Sequence, residues 1–244
     1  MNVFHYIIGI LEIVNIMFNI VATPIGNLKD LSIRQAETIA SSDYLLCEDT
    51  RTVQNLLFAI KNKLNIKINQ KQEIISFYKE KEYTESFRII EILKNNKIVS
   101  LVSESGTPII SDPGLFILQQ VIKNNIPYSV IPGTTALITA LVYSGFENKK
   151  FMYLGFLPKK ENEIMKLIDN IKSVVKIIPK ISFVFYDSNH RINKTLEILD
   201  KYIPNANICI CREMTKKFEE IIRGKPKSLM NRKYKGEITI VLSI

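Results

Sequence analysis

The sequence predicts an α/β fold built on a mostly parallel, doubly wound sheet. Three observations carry this. Short apolar runs alternate with longer stretches of helical period; Gly/Pro turns stand where the runs end; and the pattern restarts at Phe151 after an apolar helix. A length of 244 residues with 46% hydrophobic side chains is enough for one large core or two ordinary ones. The expected division is an N-terminal α/β domain over 1–132 and a basic C-terminal α/β domain over 133–244.

Taken in order, the first 22 residues are apolar but are interrupted by Asn2, His5, Glu12, Asn15 and Asn19, so neither a spanning helix nor a signal peptide fits, and no membrane partner is expected. The first expected strand is Ile16–Ala22. It feeds T-P-I-G-N-L (Thr23–Leu28), a Pro/Gly turn, after which Ser32 and Gln35 have capping-box spacing before an amphipathic helix to about Ala40. Tyr44–Cys47 reads as a strand ending in C-E-D-T-R (Cys47–Arg51). Thr50 has the chemistry to cap a helix over Val53–Ile60, and the two acids suit its positive end. Arg51 opposes that dipole, so something else should hold it there.

Ile74–Tyr78 is the next strand, Thr84–Asn95 a helix and Ile98–Val102 a strand. The last of these enters S-E-S-G-T-P-I-I-S-D-P-G (Ser103–Gly114), which can continue neither strand nor helix, because Gly frees φ and Pro removes a donor and extends the residue before it. A rigid loop of small side chains at a strand's carboxyl end is where open α/β sheets bind ligands, with backbone groups close to the ligand. The same composition also serves a plain crossover turn. Helix Leu115–Lys123, strand Tyr128–Ile131 and P-G-T-T-A (Pro132–Ala136) follow. The helix Ala136–Val142 is almost wholly apolar and is expected to be buried between domains.

The second half repeats the architecture without a sequence repeat: strand Phe151–Leu154, G-F-L-P-K-K (Gly155–Lys160), helix Glu161–Ile178, strand Ile181–Tyr186, D-S-N-H-R (Asp187–Arg191), helix Ile192–Tyr202 and strand Asn207–Cys211. R-E-M-T-K-K-F-E-E (Arg212–Glu220), a Lys/Arg-rich loop over Arg223–Lys235 and a closing strand Ile238–Leu242 complete it.

Charge and cysteine content narrow the function. Residues 1–132 carry 13 Lys and Arg against 13 Asp and Glu, whereas 133–244 carry 20 against 11, the whole net +9. One-sided basic charge is the footprint of a polyanion, and drift toward Lys-rich composition would load both halves alike. Cys47, Cys209 and Cys211 lie in apolar runs at no zinc spacing and read as buried thiols of a reducing cytoplasm. With two histidines, His5 and His190, and no Cys/His cluster, no metal site is expected.

Seven motifs, at 21–28, 47–51, 103–114, 132–137, 155–160, 187–191 and 212–220, together resemble the bacterial small-subunit rRNA (cytidine-2′-O)-methyltransferases of the tetrapyrrole-methylase superfamily. The resemblance covers about Met17 to Gly224. It implies two α/β/α domains of the class III methyltransferase kind, S-adenosylmethionine (SAM) in the cleft between them and a homodimer. It also implies a ribose hydroxyl of a cytidine in the decoding region of 16S rRNA as substrate, within the assembled small ribosomal subunit. Carried over residue by residue, the cofactor contacts fall on Pro24, Ile25, Gly26, Ser105, Gly106, Thr107, Ile110, Thr135, Ala136, Tyr186 and Met214.

Methyl transfer from a sulfonium to a hydroxyl is an in-line displacement helped by a base that takes the hydroxyl proton. Glu48 and Asp49 are the candidates for base or orienting group, with Arg51 holding a phosphate or a carboxylate and His190 as a further base candidate. The competing readings are a methyltransferase of the same fold acting on a tetrapyrrole or other small substrate, and a non-catalytic RNA-binding relative. A small macrocycle needs no basic half, and loss of activity does not explain intact loop glycines and prolines. Residues 1–16 precede every motif, and Met17 opens directly into the first strand, so 1–16 is expected to be an over-extended reading frame or a dispensable arm, the alternative being an added helix over the first domain or the dimer contact.

Overall fold

The computed structural model describes residues 17–244, so the expectation for residues 1–16 lies outside the described residues. Two compact units divide the chain. One holds the chain through Pro24 together with Leu28–Gly133, and the other holds Ile25–Asn27 and Thr134–Ile244.

In the first unit, strands β1 (Phe18–Val21), β2 (Tyr44–Cys47), β3 (Glu73–Ser76), β4 (Val99–Val102) and β5 (Tyr128–Ile131) form one sheet in the order β3-β2-β4-β1-β5. Every pairing is parallel. Such strands are buried on both faces, and the two-residue period assigns each side chain to a layer. Phe18, Ile20, Leu46 and Leu101 pack with Ile89 and Leu93 of helix α3 (Lys79–Lys94) and with Ile117 and Val121 of α4 (Leu115–Lys123). Val21, Leu45, Cys47 and Val102 face the other way, onto Ala36 and Ile39 of α1 (Ile33–Ser41) and Val53 and Ile60 of α2 (Thr50–Lys63). The result is an α/β/α sandwich. Ser32 and Gln35 close the expected capping box on α1.

The second unit departs from the parallel pattern. It holds α5 (Ala136–Ser144), β6 (Phe151–Phe156), α6 (Glu161–Ile177), β7 (Ser182–Ser188), α7 (Ile192–Tyr202), β8 (Asn207–Arg212), β9 (Glu220–Gly224), α8 (Pro226–Leu229) and β10 (Glu237–Ser243). The sheet order is β6-β7-β10-β8-β9, parallel only between β6 and β7. A short loop sends β8 straight back as β9, antiparallel to it, and β10, reached through α8, lies between β7 and β8 and runs antiparallel to both. Both β9 and α8 fall at or within the stretch that composition alone assigns to a Lys/Arg-rich loop.

Helices α6 and α7 cover one face of this sheet through Ile164, Ile168, Ile192, Leu196 and Leu199. Helix α5 covers the other, setting Ala140 and Leu141 against Val184, Cys209, Cys211 and Val241. Ile138 and Val142, on its opposite side, are 40% and 68% exposed. All three cysteines are buried free thiols, and burial pushes the Cys47 thiol up to about 12. Among the described residues, no helix is long and apolar enough to cross a membrane.

Candidate active site

Strands β1 and β4 lie side by side, with Val21 opposite Val102, so their carboxyl ends deliver the first Pro/Gly turn and the Ser103–Gly114 loop to one place. This is where the strand order reverses, the usual ligand position in an open parallel sheet. The two loops are tied together. Thr23 and Gly106 form an antiparallel bridge, with Thr23 N donating to Gly106 O at 2.8 Å and Gly106 N donating to Thr23 O at 3.1 Å. Thr23 Oγ1 donates to Ser103 O at 3.1 Å, and Ser103 Oγ donates to Gly106 O at 2.7 Å.

The rest of the Ser103–Gly114 loop is held in rare backbone conformations. Gly106 and Gly114 have φ of 87° and 128°, but Ile109 and Ser111 also lie at 76° and 70°. A β-branched residue in that region is strained by roughly 1–3 kcal/mol, and such strain clusters at ligand sites. Surrounding packing keeps it: a Cβ on Gly114 would stand 2.5 Å from Leu101 Cδ2 and 2.9 Å from Ile109 Cγ1. Glu82 Oε1 accepts from Gly114 N and Phe116 N at 2.9 and 2.8 Å, capping α4 from a neighbouring helix. Of the expected cofactor residues here, Gly106 is buried, Pro24 and Thr107 are half-buried, and Ser105 and Ile110 are exposed.

C-E-D-T-R resolves into two parts. Asp49, not Thr50, is the N-cap of α2: its Oδ1 accepts from Arg51 N at 2.8 Å. The Arg51 guanidinium returns onto the same carboxylate, Nε to Oδ1 at 3.0 Å and Nη2 to Oδ2 at 2.6 Å, and these hydrogen bonds hold Asp49 down at about 2. A carboxylate that acidic is a weak base. The first turn therefore accommodates Arg51 because the cap itself is its partner, although 85% of the side chain is in water.

Glu48 differs from its neighbour. Partial burial first, then the charges of Glu104 and Glu80, raise its carboxyl. Asp112, in S-D-P-G, is raised further, to about 6, by burial and then by Glu48 and Glu104. The unit thus gathers carboxylates that oppose one another's ionisation at strand ends, the condition under which a general base is tuned toward neutral pH. Sequence reasoning did not single out Asp112, although an acid directly before a proline in the candidate ligand loop was a usable signal.

In the second unit, Ile25 is buried in one cluster with Met214, Ala140, Leu141 and the β-sheet residues Val184, Cys209, Cys211 and Val241, with Ala136 packed against it. Gly26 has φ of 152°, and a Cβ there would come within 2.4 Å of Lys216 Cγ and 3.0 Å of Thr215 Oγ1. That Thr215 hydroxyl is buried without a hydrogen-bond partner among the described residues. Thr135 is the N-cap of α5, without a side-chain cap bond, and Tyr186 on β7 meets Tyr153 and Phe156 edge-on at 5.3 and 5.4 Å. Ile25, Gly26, Ala136 and Met214 are therefore neighbours. His190 is exposed, and among the described residues no group of three or more His, Cys, Asp or Glu could hold a metal ion.

Residues 17–229 match the family model for tetrapyrrole (corrin/porphyrin) methylases. The chain is 40% identical over 229 residues to the ribosomal RNA small subunit methyltransferase I of Hydrogenobaculum sp. (strain Y04AAS1), covering 92% of this chain and 94% of the relative. It is 37% identical over 228 residues to the protein of the same name from Thermotoga maritima, covering 92% and 96%. Among solved structures, a diphthine synthase superposes with TM-score 0.67 at 13% identity, covering 93% and 90% of the two chains, and uroporphyrin-III-C-methyltransferase from Thermus thermophilus with 0.62 at 14%, covering 93% and 94%. These two share the fold. A family model spanning nearly the whole described chain, with close relatives over nine-tenths of it, makes this chain a member of the tetrapyrrole methylases, in the group of the ribosomal RNA small subunit methyltransferases I.

Proposed function

We propose that this chain transfers a methyl group from SAM to the 2′-hydroxyl of a cytidine in the decoding region of small-subunit rRNA. The observation that carries the reading is the 40% identity over 92% of the chain to a small-subunit rRNA methyltransferase, with the motif loops intact. The one-sided charge supports a polyanionic substrate, because a +9 excess confined to residues 133–244 attracts phosphate rather than a small macrocycle. The reading extends to the assembled small subunit as substrate, to a homodimer and to the cytoplasm.

The residues present fit SAM. Within the second unit, a glycine at position 26 where a side chain would collide with the Lys216 stem and an orphaned Thr215 hydroxyl suit a polar nucleoside, and within the first unit so does the backbone bridge at Gly106. The residues that the family resemblance assigns to SAM are Pro24, Ile25, Gly26, Ser105, Gly106, Thr107, Ile110, Thr135, Ala136, Tyr186 and Met214. When bound, SAM supplies a methyl group on a positively charged sulfur, whose C–S bonding pair returns to sulfur as the methyl leaves. The oxygen of the 2′-hydroxyl forms the new C–O bond, and its proton goes to a carboxylate of this chain. Asp112, at about 6, and Glu48 suit that role better than Asp49. Asp49 and Arg51 orient the loop that carries Glu48.

Mapping 2′-O-methylation on rRNA from cells with and without this gene tests the reading, together with methyl transfer to unmethylated small subunits by the purified protein. Loss of one methylcytidine on deletion, restored in vitro, is expected. An unchanged methylation map combined with no transfer would overturn it.

A further inference from the structure

We propose that Phe218 is a stacking platform for an unpaired nucleobase of the RNA substrate, with Lys217 beside it for the adjoining phosphate; the proposal rests on the rRNA reading above. Both residues lie in the loop 213–219 that joins β8 to β9. That loop is braced at several points. Glu219 Oε2 accepts from Thr215 N at 2.6 Å, and Glu219 Oε1 accepts from the Tyr143 hydroxyl at 3.2 Å. Glu213 Oε1 accepts from Glu237 N at 3.0 Å and from Lys216 Nζ at 3.1 Å, while Lys216 Nζ also reaches Glu237 Oε2 at 2.9 Å.

These bonds separate two adjacent lysines. Lys216 is neutralised by two carboxylates and serves the loop, whereas Lys217 is exposed, with its Nζ 5.6 Å from the centre of the Phe218 ring. The nearby acids are already engaged, Glu219 by Thr215 and Tyr143, Glu220 by Arg212 at 3.0 Å. What a fixed loop presents to solvent is thus a phenyl ring, 65% exposed, and one cation.

An exposed ring with an ammonium over one face and no carboxylate pairing that ammonium is the arrangement that single-stranded RNA uses, base on the ring and phosphate on the ammonium. The exposed aromatic cluster of Tyr83 with Phe87 and Phe116 has no such excess of positive charge, because the bases of its helix are balanced by Glu80, Glu82, Glu85 and Glu91, with Arg88 paired to Glu85 and Lys94 to Glu91. Phe156 is already packed edge-on to Tyr186. Phe58 is as exposed, at 69%, with Lys61 and Lys63 on its helix, but no ring-to-cation contact like that of Phe218 with Lys217 is formed there among the described residues, and that contact favours Phe218.

The chain contains no tryptophan, which gives a direct test. Phe218→Trp installs a single tryptophan, excited at a longer wavelength than the ten tyrosines absorb, and titration with transcribed, unmethylated small-subunit rRNA should quench it as a base stacks. In parallel, Phe218→Ala should raise KM for unmethylated small subunits by about tenfold, within the range expected for one lost stacking contact, with kcat and SAM affinity kept and Phe218→Tyr restoring KM. An unchanged KM in Phe218→Ala, or an unquenched Trp, while the wild type methylates rRNA, would overturn the platform and leave the rRNA reading standing. Dissociation of the Phe218→Ala protein in sedimentation would overturn it too, making the loop a contact between copies. A wild type that methylates no rRNA would remove both.

Discussion

Thr23 and Gly106, 83 residues apart, exchange both backbone hydrogen bonds and so close the Pro/Gly turn after β1 onto the loop after β4. Gly106 holds this bridge at a φ of 87°, which costs an L side chain roughly 1–2 kcal/mol. Gly106→Ala should therefore loosen both loops at once. The expected result is a Tm lower by a few degrees and SAM binding weakened at least tenfold by calorimetry, while Ala at the exposed Ser105 leaves Tm unchanged. Retention of full SAM affinity in Gly106→Ala would remove the bridge from the cofactor site.

Asp112 gives a prediction in which stability and activity move in opposite directions. Its folded value, about 6, stands above the ordinary carboxylate value because burial and the charges of Glu48 and Glu104 oppose ionisation. A raised acid favours the folded state below its unfolded value near 4 and loses that contribution as pH rises through about 6. At pH 7 its charge is therefore a cost, on the order of 1–2 kcal/mol after allowance for its partial exposure to solvent. Asp112→Asn should raise Tm at pH 7 by a few degrees, with the gain vanishing at pH 4, and should lower kcat by 100-fold or more. The wild-type rate should fall below pH 6. A variant that keeps wild-type turnover would return the base role to Glu48.

Asp49 and Arg51 share one ion pair but not one structural duty. Asp49 caps α2 through Arg51 N, whereas the Arg51 side chain is almost wholly in solvent. Thermal melts should find Asp49→Ala clearly less stable and Arg51→Ala indistinguishable from wild type. Turnover should drop in both, because the pair fixes the loop bearing Glu48. Equal stability of the two variants would show that the cap bond is not what holds the start of α2.

The first unit was legible because its parallel strands obey local rules: β2 and β5 have the expected bounds, and Ser32 and Gln35 announced α1 through a three-residue spacing. Helix α3 begins at Lys79, not Thr84, because Lys79–Tyr83 carries no apolar period and is fixed instead by Glu82 reaching the start of α4. The second sheet was less legible. Strand β9 is an edge paired only to β8, and its half-buried Glu220–Gly224 segment does not alternate in sequence. At the site, glycines and prolines marked the loops, but the elevation of Asp112 arises from Glu48 and Glu104, acids 64 and 8 residues away that only folding brings near.

D-S-N-H-R looked like a site motif and is also a structural clamp. The Asp187 side chain is wholly buried, with Oδ1 accepting from Ser188 N at 2.8 Å and pairing with Arg191 Nη2 at 2.6 Å, while Oδ2 accepts from the Thr195 hydroxyl at 2.6 Å. Arg191 Nη1 then donates to Leu157 O at 3.0 Å and Pro158 O at 3.1 Å. One guanidinium thus joins the end of β7 to the loop that carries Lys159 and Lys160. Removing it leaves an unpaired buried carboxylate, which typically costs about 3–5 kcal/mol, so Arg191→Ala should be strongly destabilised in urea melts. Arg191→Lys keeps the charge but not the planar fork, so it should refold most of the stability while leaving a carbonyl of the loop unheld. Its rRNA affinity should therefore fall and the salt dependence of binding become shallower, because the loop that carries Lys159 and Lys160 is less firmly held. Wild-type affinity and salt slope in a folded Arg191→Lys protein would show that the clamp serves stability alone.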